Sequence, residues 1–199
     1  GTDEYPYQEQ ETINLDLTLS QFGFPLDGIV VKSSPIVADL DSDGVKEIYF
    51  GSDNEALHGY NSFGEEIDGF PFQSTDRVRS SPAVGDVDND GQMEIVFGNS
   101  SGKLYIVNHD GSQQLAYTIL GFIEGTPALV DVDGDQDLEI VFTTTTTSGG
   151  QLYAIHHSGI TMSGFPKELG SMWTGPAVHD IDNDGIHDIV CTTYDKEIY

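Results

Sequence analysis

Residues 39–47 read DLDSDGVKE, and this acidic pattern returns as DVDNDGQME at 86–94, DVDGDQDLE at 131–139 and DIDNDGIHD at 180–188. We call these segments acidic loops 1 to 4. Each loop carries carboxylates at positions 1, 3, 5 and 9, and short apolar runs flank it on both sides. Four copies at near-constant spacing predict one structural unit that is repeated along the chain.

The spacing of the carboxylates predicts a site for a hard cation in every loop. Side chains at positions 1, 3 and 5 of a curling backbone converge, and the acid at position 9 returns after the turn to close the cage. Such a cage suits Ca²⁺, which takes about six to eight oxygen ligands, while carboxylates clustered without a cation would repel one another. The backbone carbonyl of position 7 is expected to supply a neutral ligand. The predicted ligands are Asp39, Asp41, Asp43, Val45 and Glu47 in loop 1, Asp86, Asp88, Asp90, Gln92 and Glu94 in loop 2, Asp131, Asp133, Asp135, Asp137 and Glu139 in loop 3, and Asp180, Asp182, Asp184, Ile186 and Asp188 in loop 4. We therefore expect four bound Ca²⁺ ions, one per repeat.

Position 6 distinguishes loop 3 from the other loops. Three loops have glycine there, which takes a positive φ at little cost in a sharp turn. Loop 3 has Gln136 instead. We expect this site to be the odd one, with the extra charge of Asp137 partly offsetting the strained turn.

Two other calcium motifs begin in a similar way and are excluded by the sequence. An EF-hand needs a bidentate glutamate at position 12 and flanking helices, but position 12 is apolar here, occupied by Phe50, Phe97, Phe142 and Cys191. The glycine-rich nonapeptide roll has a nine-residue period, about a fifth of the spacing seen here. A calcium loop between two strands is therefore favoured over an aspartate-rich turn without metal.

The repeat length predicts the fold class. Prolines 35, 82, 127 and 176 mark corresponding points, so the period is 47, 45 and 49 residues. That length fits a propeller blade of about four strands. Apolar runs on both sides of each loop give two strands, a third is expected at 56–60, 103–107 and 151–155, and a fourth near 69–71, 121–122 and 164–166. The predicted fold is an all-β propeller of four-stranded antiparallel blades, with repeats at about 33–79, 80–124, 125–173 and 174–199.

These motifs resemble the FG-GAP, or VCBS, calcium-binding repeats of integrin α-subunit propellers and of secreted microbial proteins. The eponymous pair stands as Phe50-Gly51 and Phe97-Gly98 and becomes Phe142-Thr143 and Cys191-Thr192 later. The resemblance covers roughly residues 23 to 199, and the Ser-Ser-Pro and Thr-Gly-Pro segments favour the microbial branch. It implies a secreted or cell-surface, calcium-stabilised module for adhesion, protein binding or scaffold assembly. A glycan ligand is the first alternative, and an accessory domain of a larger secreted hydrolase or lyase is the second.

The N-terminal region offers a way to complete the last repeat. Residues 1–12 are expected to form an acidic tail, and residues 13–19 alternate as a half-exposed strand that leads to a Gly-Phe-Pro turn at 23–25. The strand at 13–25 is expected to complete the last blade or to pair with another chain. The alternatives are a closed four-bladed ring, a segment of a larger propeller, and two copies that together form an eight-bladed ring. Open blade edges would favour self-association. Because the chain starts without methionine and shows no signal peptide, we expect a processed or excised form.

Charge restricts the class of partner. The formal net charge is −27, from 34 acidic residues against seven basic ones, and 16 of the acids occupy positions 1, 3, 5 and 9 of the loops. Nucleic acids and anionic membranes require clustered lysine and arginine, whereas here only Arg77 and Arg79 lie near each other. No apolar stretch approaches the roughly 18 residues of a membrane span. We expect no nucleic-acid partner and no membrane insertion.

No motif in the sequence predicts catalysis. Residues 98–102 match the G-x-S-x-G elbow, but a strand is expected to follow instead of the helix that the elbow requires. Residues 16–20 are read as an ordinary strand, the lone Cys191 as a buried thiol, and the six histidines were assigned no chemistry. Four aromatic residues near turns are candidates for a sugar platform, with packing between blades as the alternative reading: Phe24, Phe70, Phe165 and Trp173. The chain is therefore expected not to be an enzyme.

Overall fold

The regular secondary structure of the described residues consists of short β-strands. The computed structural model of the chain describes residues 21–199, so the predicted acidic tail and the strand at 13–19 lie outside the described residues. The strands are β1 (Ile36–Ala38), β2 (Glu47–Gly51), β3 (Ala56–Tyr60), β4 (Phe72–Gln73), β5 (Ala83–Gly85), β6 (Glu94–Gly98), β7 (Lys103–Asn108), β8 (Gln113–Thr118), β9 (Ala128–Val130), β10 (Glu139–Thr143), β11 (Gly150–Ile155), β12 (Lys167–Leu169), β13 (Ala177–His179) and β14 (Asp188–Val190). Within these residues no helix is long and apolar enough to cross a bilayer.

The strands form three four-stranded sheets and one two-stranded sheet. Strands β1 to β4, β5 to β8 and β9 to β12 each pair in sequence order, and β13 pairs with β14, all antiparallel. In every sheet the first two strands enclose one acidic loop. This arrangement confirms the predicted all-β repeat of four-stranded antiparallel units.

The central strands are buried on both faces, as the continuous apolar runs predict. In β6, Ile95 and Phe97 face the first sheet, while Val96 between them faces the third. In β10, Val141 likewise packs toward the fourth sheet, and its neighbours face the second. Because successive side chains of a strand point to opposite faces, one strand joins two cores. The sheets therefore stack face to face as blades.

The first strands of neighbouring sheets lie close to one another. Strands β5, β9 and β13 pack side by side. Ahead of them, the Ser34 amide donates to Ser81 Oγ at 2.8 Å, and Ser80 Oγ donates to the Gly125 carbonyl at 2.9 Å. Among residues 21–199, hydrogen bonds connect neighbouring sheets in chain order, and none connects the first sheet with the last. The closed ring, the segment of a larger propeller and the eight-bladed ring of two copies stay alternative predictions.

One expected strand lies elsewhere. The fourth strand of the second unit is β8, which precedes the predicted position near Gly121 and Phe122. Phe122 instead pairs with Thr145 of the following sheet. The sequence was misleading here because the Gly-Phe pair lacks the proline of the other two units, whose fourth strands β4 and β12 directly follow their Gly-Phe-Pro turns.

The segment before the first sheet repeats a contact made between blades. A Cβ on Gly69 would collide with the backbone of Asp110 in the second sheet, and a Cβ on Gly23 would collide with the backbone of Phe63 in the first. Gly23 therefore occupies, next to the first blade, the place that Gly69 occupies next to the second. This contact agrees with the repeat character predicted for residues 23–25.

Antiparallel pairing separates the connections into two ends of the stack. The acidic loops join the first and second strands of each sheet, and the turns between third and fourth strands lie at the same end. The hairpins between second and third strands, and the connections from one sheet to the next, lie at the opposite end. Two surfaces with different chemistry result.

Candidate functional site

The four acidic loops share one backbone conformation. In each, the amide of position 6 donates to the Oδ2 of the aspartate at position 1, over distances of 3.0, 2.9, 3.2 and 2.9 Å in loops 1 to 4. The amide of position 7 donates to the Oδ1 of the acid at position 5. The aspartates thus fold the backbone around themselves, which brings positions 1, 3 and 5 to one side.

Position 6 requires a left-handed backbone in every loop. The φ angles of Gly44, Gly91 and Gly185 are 89°, 89° and 87°, and that of Gln136 is 83°. A Cβ at any of the three glycines would meet nothing within 4 Å. Glycine is therefore favoured at position 6 by the backbone conformation and not by lack of space. Gln136 adopts the same left-handed conformation, which is strained for a residue with a side chain.

Replacing the strained residue should stabilise the third repeat. We expect Gln136→Gly to raise the free energy of unfolding by about 1 kcal/mol, because a left-handed residue with a side chain costs roughly 1–2 kcal/mol and the freer unfolded glycine offsets part of that gain. Chemical denaturation of the two proteins measures the difference. Gly91→Gln in loop 2 is the matched control and should lower stability; equal stabilities for both pairs would contradict the strain.

The acid at position 9 closes each loop from the start of the second strand. Glu94 Oε2 accepts from the Val87 amide at 2.9 Å, and Glu139 Oε2 and Asp188 Oδ2 accept from the corresponding amides at 2.8 and 3.0 Å. Glu47, Glu94 and Glu139 are buried, whereas the shorter Asp188 is exposed. One carboxylate oxygen each of Glu94, Glu139 and Asp188 is thereby fixed on the backbone, and the two glutamates group with aspartates of their own loops.

Buried carboxylate oxygens without partners show that a cation fits these loops. Among the described residues, six buried side-chain atoms lack a hydrogen bond, and five belong to predicted ligands: Asp39 Oδ1, Glu47 Oε2, Asp88 Oδ1, Asp137 Oδ1 and Glu139 Oε1. Carboxylate oxygens of Asp39, Asp41 and Asp43 lie within 4.8 Å of one another, as do those of the set Asp86, Asp88 and Glu94 and of the set Asp131, Asp133 and Asp135. Buried charges are rarely left unpaired. Oxygens converging without donors are what Ca²⁺ would satisfy.

Space and exposure fit the same assignment. A cavity of about 360 Å³ opens beside loop 2 and is lined by Asp88, Asp90 and Glu94. A second, of about 340 Å³, adjoins loop 1. At position 7 the side chains of Val45 and Ile186 are exposed, which leaves the backbone carbonyl as the ligand predicted there.

Without a bound cation, the buried glutamates of the acidic loops have raised pKa values. Burial, together with the neighbouring carboxylates of Asp88, Asp90 and Asp86, raises the pKa of Glu94 from 4.5 to about 7. Burial also raises the pKa of Glu47 and of Glu139, with added repulsion from nearby aspartates. A bound cation would favour the ionised form of all three.

The metal-free chain should be more stable in mild acid than at neutral pH. The pKa of Glu94 is about 7 in the folded chain and 4.5 in the reference state, so the folded state binds the proton more tightly. Stability therefore falls as pH rises through this interval, by on the order of 3 kcal/mol for this group. Denaturation in chelator at pH 5 and pH 8 measures the difference. Glu94→Gln should flatten the profile, and a wild-type profile that rises toward pH 8 would contradict the assignment.

Two of the six histidines, to which the sequence assigns no chemistry, lie against loop 3. His156 Nδ1 is 3.1 Å from Glu139 Oε1, and His157 Nε2 is 3.1 Å from Asp137 Oδ2. They follow β11, about 20 residues after the acids they face. No local motif reveals such a pairing; counting the cross-strand register from Ile140 and Ile155 would have found the first.

A pocket lies at the end of the stack opposite the acidic loops. Its cavity of about 420 Å³ is lined by connections of three sheets, and we call it the Arg–Trp pocket: Asp76, Arg77, Arg79, Ser100, Phe122, Glu124 and Trp173. Arg79 Nε donates to Asp53 Oδ1 at 2.8 Å, which lowers the pKa of Asp53. Trp173 is half exposed. The sequence signal was the closeness of Arg77 and Arg79, but nothing in it placed them beside an aromatic ring.

The other candidate sugar-platform residues have different environments. Phe70 is buried against Tyr49, with ring centroids 5.3 Å apart, and Phe165 packs on the core between the third and fourth sheets. For these two, packing between blades is confirmed. Cys191 is likewise buried as predicted. Trp173 is the predicted aromatic that lines the pocket.

The repeated acidic loops match the model of a known protein family. A family model described as FG-GAP-like repeat matches residues 39–97, 86–142 and 131–191, so that each match spans two successive acidic loops. The chain belongs to the FG-GAP-like repeat family. Its four-stranded sheets are therefore β-propeller-type FG-GAP blades, as the sequence indicated. No curated protein matches the chain.

Solved structures share the fold of these FG-GAP repeats at low sequence identity. BBS1N, crystallised in complex with ARL6DN, has a TM-score of 0.63 at 12% identity over 89% of this chain and 54% of its own. The Vibrio cholerae biofilm matrix protein Bap1 has a TM-score of 0.60 at 21% identity over 85% of this chain and 30% of its own. The computationally designed Ika4 protein has a TM-score of 0.55 at 12% identity over 91% of this chain and 97% of its own. The chain thus spans about half of BBS1N and less than a third of Bap1.

Proposed function

We propose that this chain is a calcium-stabilised extracellular β-propeller module that binds a protein partner in adhesion or scaffold assembly and has no catalytic role. The observation that carries the proposal is the set of buried, unpartnered carboxylate oxygens in loops 1 and 2. Calcium is the abundant extracellular cation that such oxygen cages bind at roughly 10⁻⁴ to 10⁻³ M. Bap1, a biofilm matrix protein, shares the fold.

In this proposal the two ends of the stack have different roles. Cations hold the acidic loops at one end and so fix each first hairpin in its blade. The connections at the other end stay free to form a contact surface, and binding residues concentrate in such loops on a rigid scaffold. BBS1N, which shares the fold, was crystallised with a protein partner.

Metal analysis and adhesion assays test the two halves separately. The stripped chain, equilibrated with Ca²⁺ and analysed by atomic emission, should take up several ions per chain, and Asp88→Asn should remove about one. Beads coated with the chain should adhere to the matrix of the producing cells in Ca²⁺ and detach in chelator. Beads coated with Trp173→Ala, whose substitution is remote from every acidic loop, should bind calcium normally but adhere less.

A carbohydrate ligand is the second candidate, and the Arg–Trp pocket favours it. Trp173 and Phe122 present exposed rings beside Arg77, and an aromatic face next to polar groups is an arrangement that stacks on sugar rings. A glycan array should show binding that Trp173→Ala abolishes. If the array gives no signal and the beads still adhere, the result favours a protein partner over a glycan.

A further inference from the structure

Loop 3 differs from the other loops in the residue that faces its buried glutamate. Ile140 pairs with Ile155, so the next residue, His156, stands opposite Glu139. In the second sheet the same register places Asn108 opposite Glu94. Asn61 holds this place in the first sheet. The register therefore brings an imidazole to loop 3 where loops 1 and 2 have an amide.

The two asparagines have structural partners in their own turns, and the histidine does not. Asn108 Nδ2 donates to Ser112 Oγ at 2.9 Å, and Asn61 Oδ1 accepts from the amides of Phe63 and Glu65 at 2.9 and 3.0 Å. Within the described residues, the His156 ring makes no hydrogen bond with its turn, which closes through its backbone alone. The imidazole is therefore directed at the acidic loop.

The carboxylates that face His156 and His157 have buried oxygens without hydrogen bonds. Glu139 is fully buried, and its Oε1 has no hydrogen bond although His156 Nδ1 lies 3.1 Å away. Asp137 Oδ1 is buried and unpartnered as well, and the other oxygen of this residue lies 3.1 Å from His157 Nε2. Each histidine nitrogen thus lies within ion-pair distance of a carboxylate oxygen, and neither contact is a hydrogen bond.

The distances suit a single small cation. Ligand atoms of Asp133, Glu139 and His156 lie within 4.8 Å of one another, and so do those of Asp135, Asp137 and His156. Two ligands of one Zn²⁺ are separated by at most about 4.4 Å, since bonds to nitrogen and oxygen are about 2.0–2.2 Å. Both groups contain His156, so the imidazole lies among the carboxylates of loop 3.

We propose that loop 3 is a transition-metal site that binds Zn²⁺ through His156, Glu139 and the loop aspartates, in preference to Ca²⁺. Imidazole nitrogen is a preferred ligand of zinc and its neighbours in the first transition row, whereas Ca²⁺ is held by oxygen. The extra carboxylate of Asp137, which the other loops lack, supplies charge beside His157. The assignment does not depend on calcium in loops 1, 2 and 4.

Zinc retention in the presence of calcium tests this site. The stripped full chain is mixed with one equivalent of Zn²⁺ in millimolar Ca²⁺, desalted and analysed for both metals. We expect about one Zn²⁺ per chain, and His156→Asn, which restores the residue of the first two sheets, should weaken zinc binding at least about tenfold with calcium content unchanged. His109→Asn, the same substitution in the second sheet, should retain zinc.

A second histidine variant and a cobalt spectrum test the zinc site independently of His156→Asn. His157→Ser, which copies Ser62 of the first sheet, should also weaken zinc binding and covers the case that His156→Asn does not fold. Cobalt bound to the wild type should give visible absorption bands that zinc abolishes and calcium does not. Zinc content unaffected by both histidine variants, or displaced in full by millimolar calcium, would overturn the proposal.

Discussion

Chelation of calcium should lower the melting temperature of the chain more than any single substitution in a loop. Each cation that binds only the folded chain adds about 2.7 kcal/mol at 100 times its dissociation constant. For a domain of this size that corresponds to roughly 5–10 °C for each filled loop. The physical reason is that three or four carboxylates per loop repel one another until a cation neutralises them. Differential scanning fluorimetry in Ca²⁺ and in chelator measures the shift.

Magnesium and one loop variant serve as controls for this result. Mg²⁺ at equal concentration should stabilise less, because it demands octahedral geometry and gives up water reluctantly. Asp88→Asn should remove about one loop's share of the calcium effect and leave the melting temperature in chelator unchanged or higher, since it takes one charge out of the crowded loop 2. Identical curves in calcium and chelator would refute the calcium proposal.

Truncation of Phe97 should strongly destabilise the core. Its ring is fully buried and lies against Tyr105 and Phe72, with centroids 5.3 and 5.9 Å away, where the first and second sheets meet. Removing a buried phenylalanine costs about 3–5 kcal/mol, because lost burial is combined with a cavity. Phe97→Ala should lower the free energy of unfolding by that amount in calcium-saturated protein, measured by chemical denaturation.

Replacing an exposed phenylalanine by alanine is the control, because it removes the same side chain without removing core packing. Phe22 is 83% exposed, so Phe22→Ala should change stability by less than about 0.5 kcal/mol. If Phe97→Ala were equally mild, the two sheets would not share the core that the structure shows. Calcium binding by loop 2 should survive in the folded fraction, since Phe97 lies beyond its ligands.

The acidic pattern and its period determined the fold class, because both depend on local properties. Alternate carboxylates followed by a glycine define a loop conformation without reference to the rest of the chain, and the left-handed φ of Gly44 and Gly91 agrees with it. The apolar runs that follow, such as 94–98, were correctly predicted to be buried on both faces. A period of about 47 residues leaves room for four short strands and little else.

Only the tertiary structure decided which residues of separate repeats meet. Cross-strand register placed His156 opposite Glu139, and the alternation of connections brought Arg79, Phe122 and Trp173 of three different sheets to one pocket. Sequence patterns report a residue's own backbone, whereas these contacts depend on how a strand pairs and how sheets stack. The fourth strand of the second unit shows the same limit, because β8 is chosen by pairing with β7 and not by the Gly-Phe pair that marks the other units.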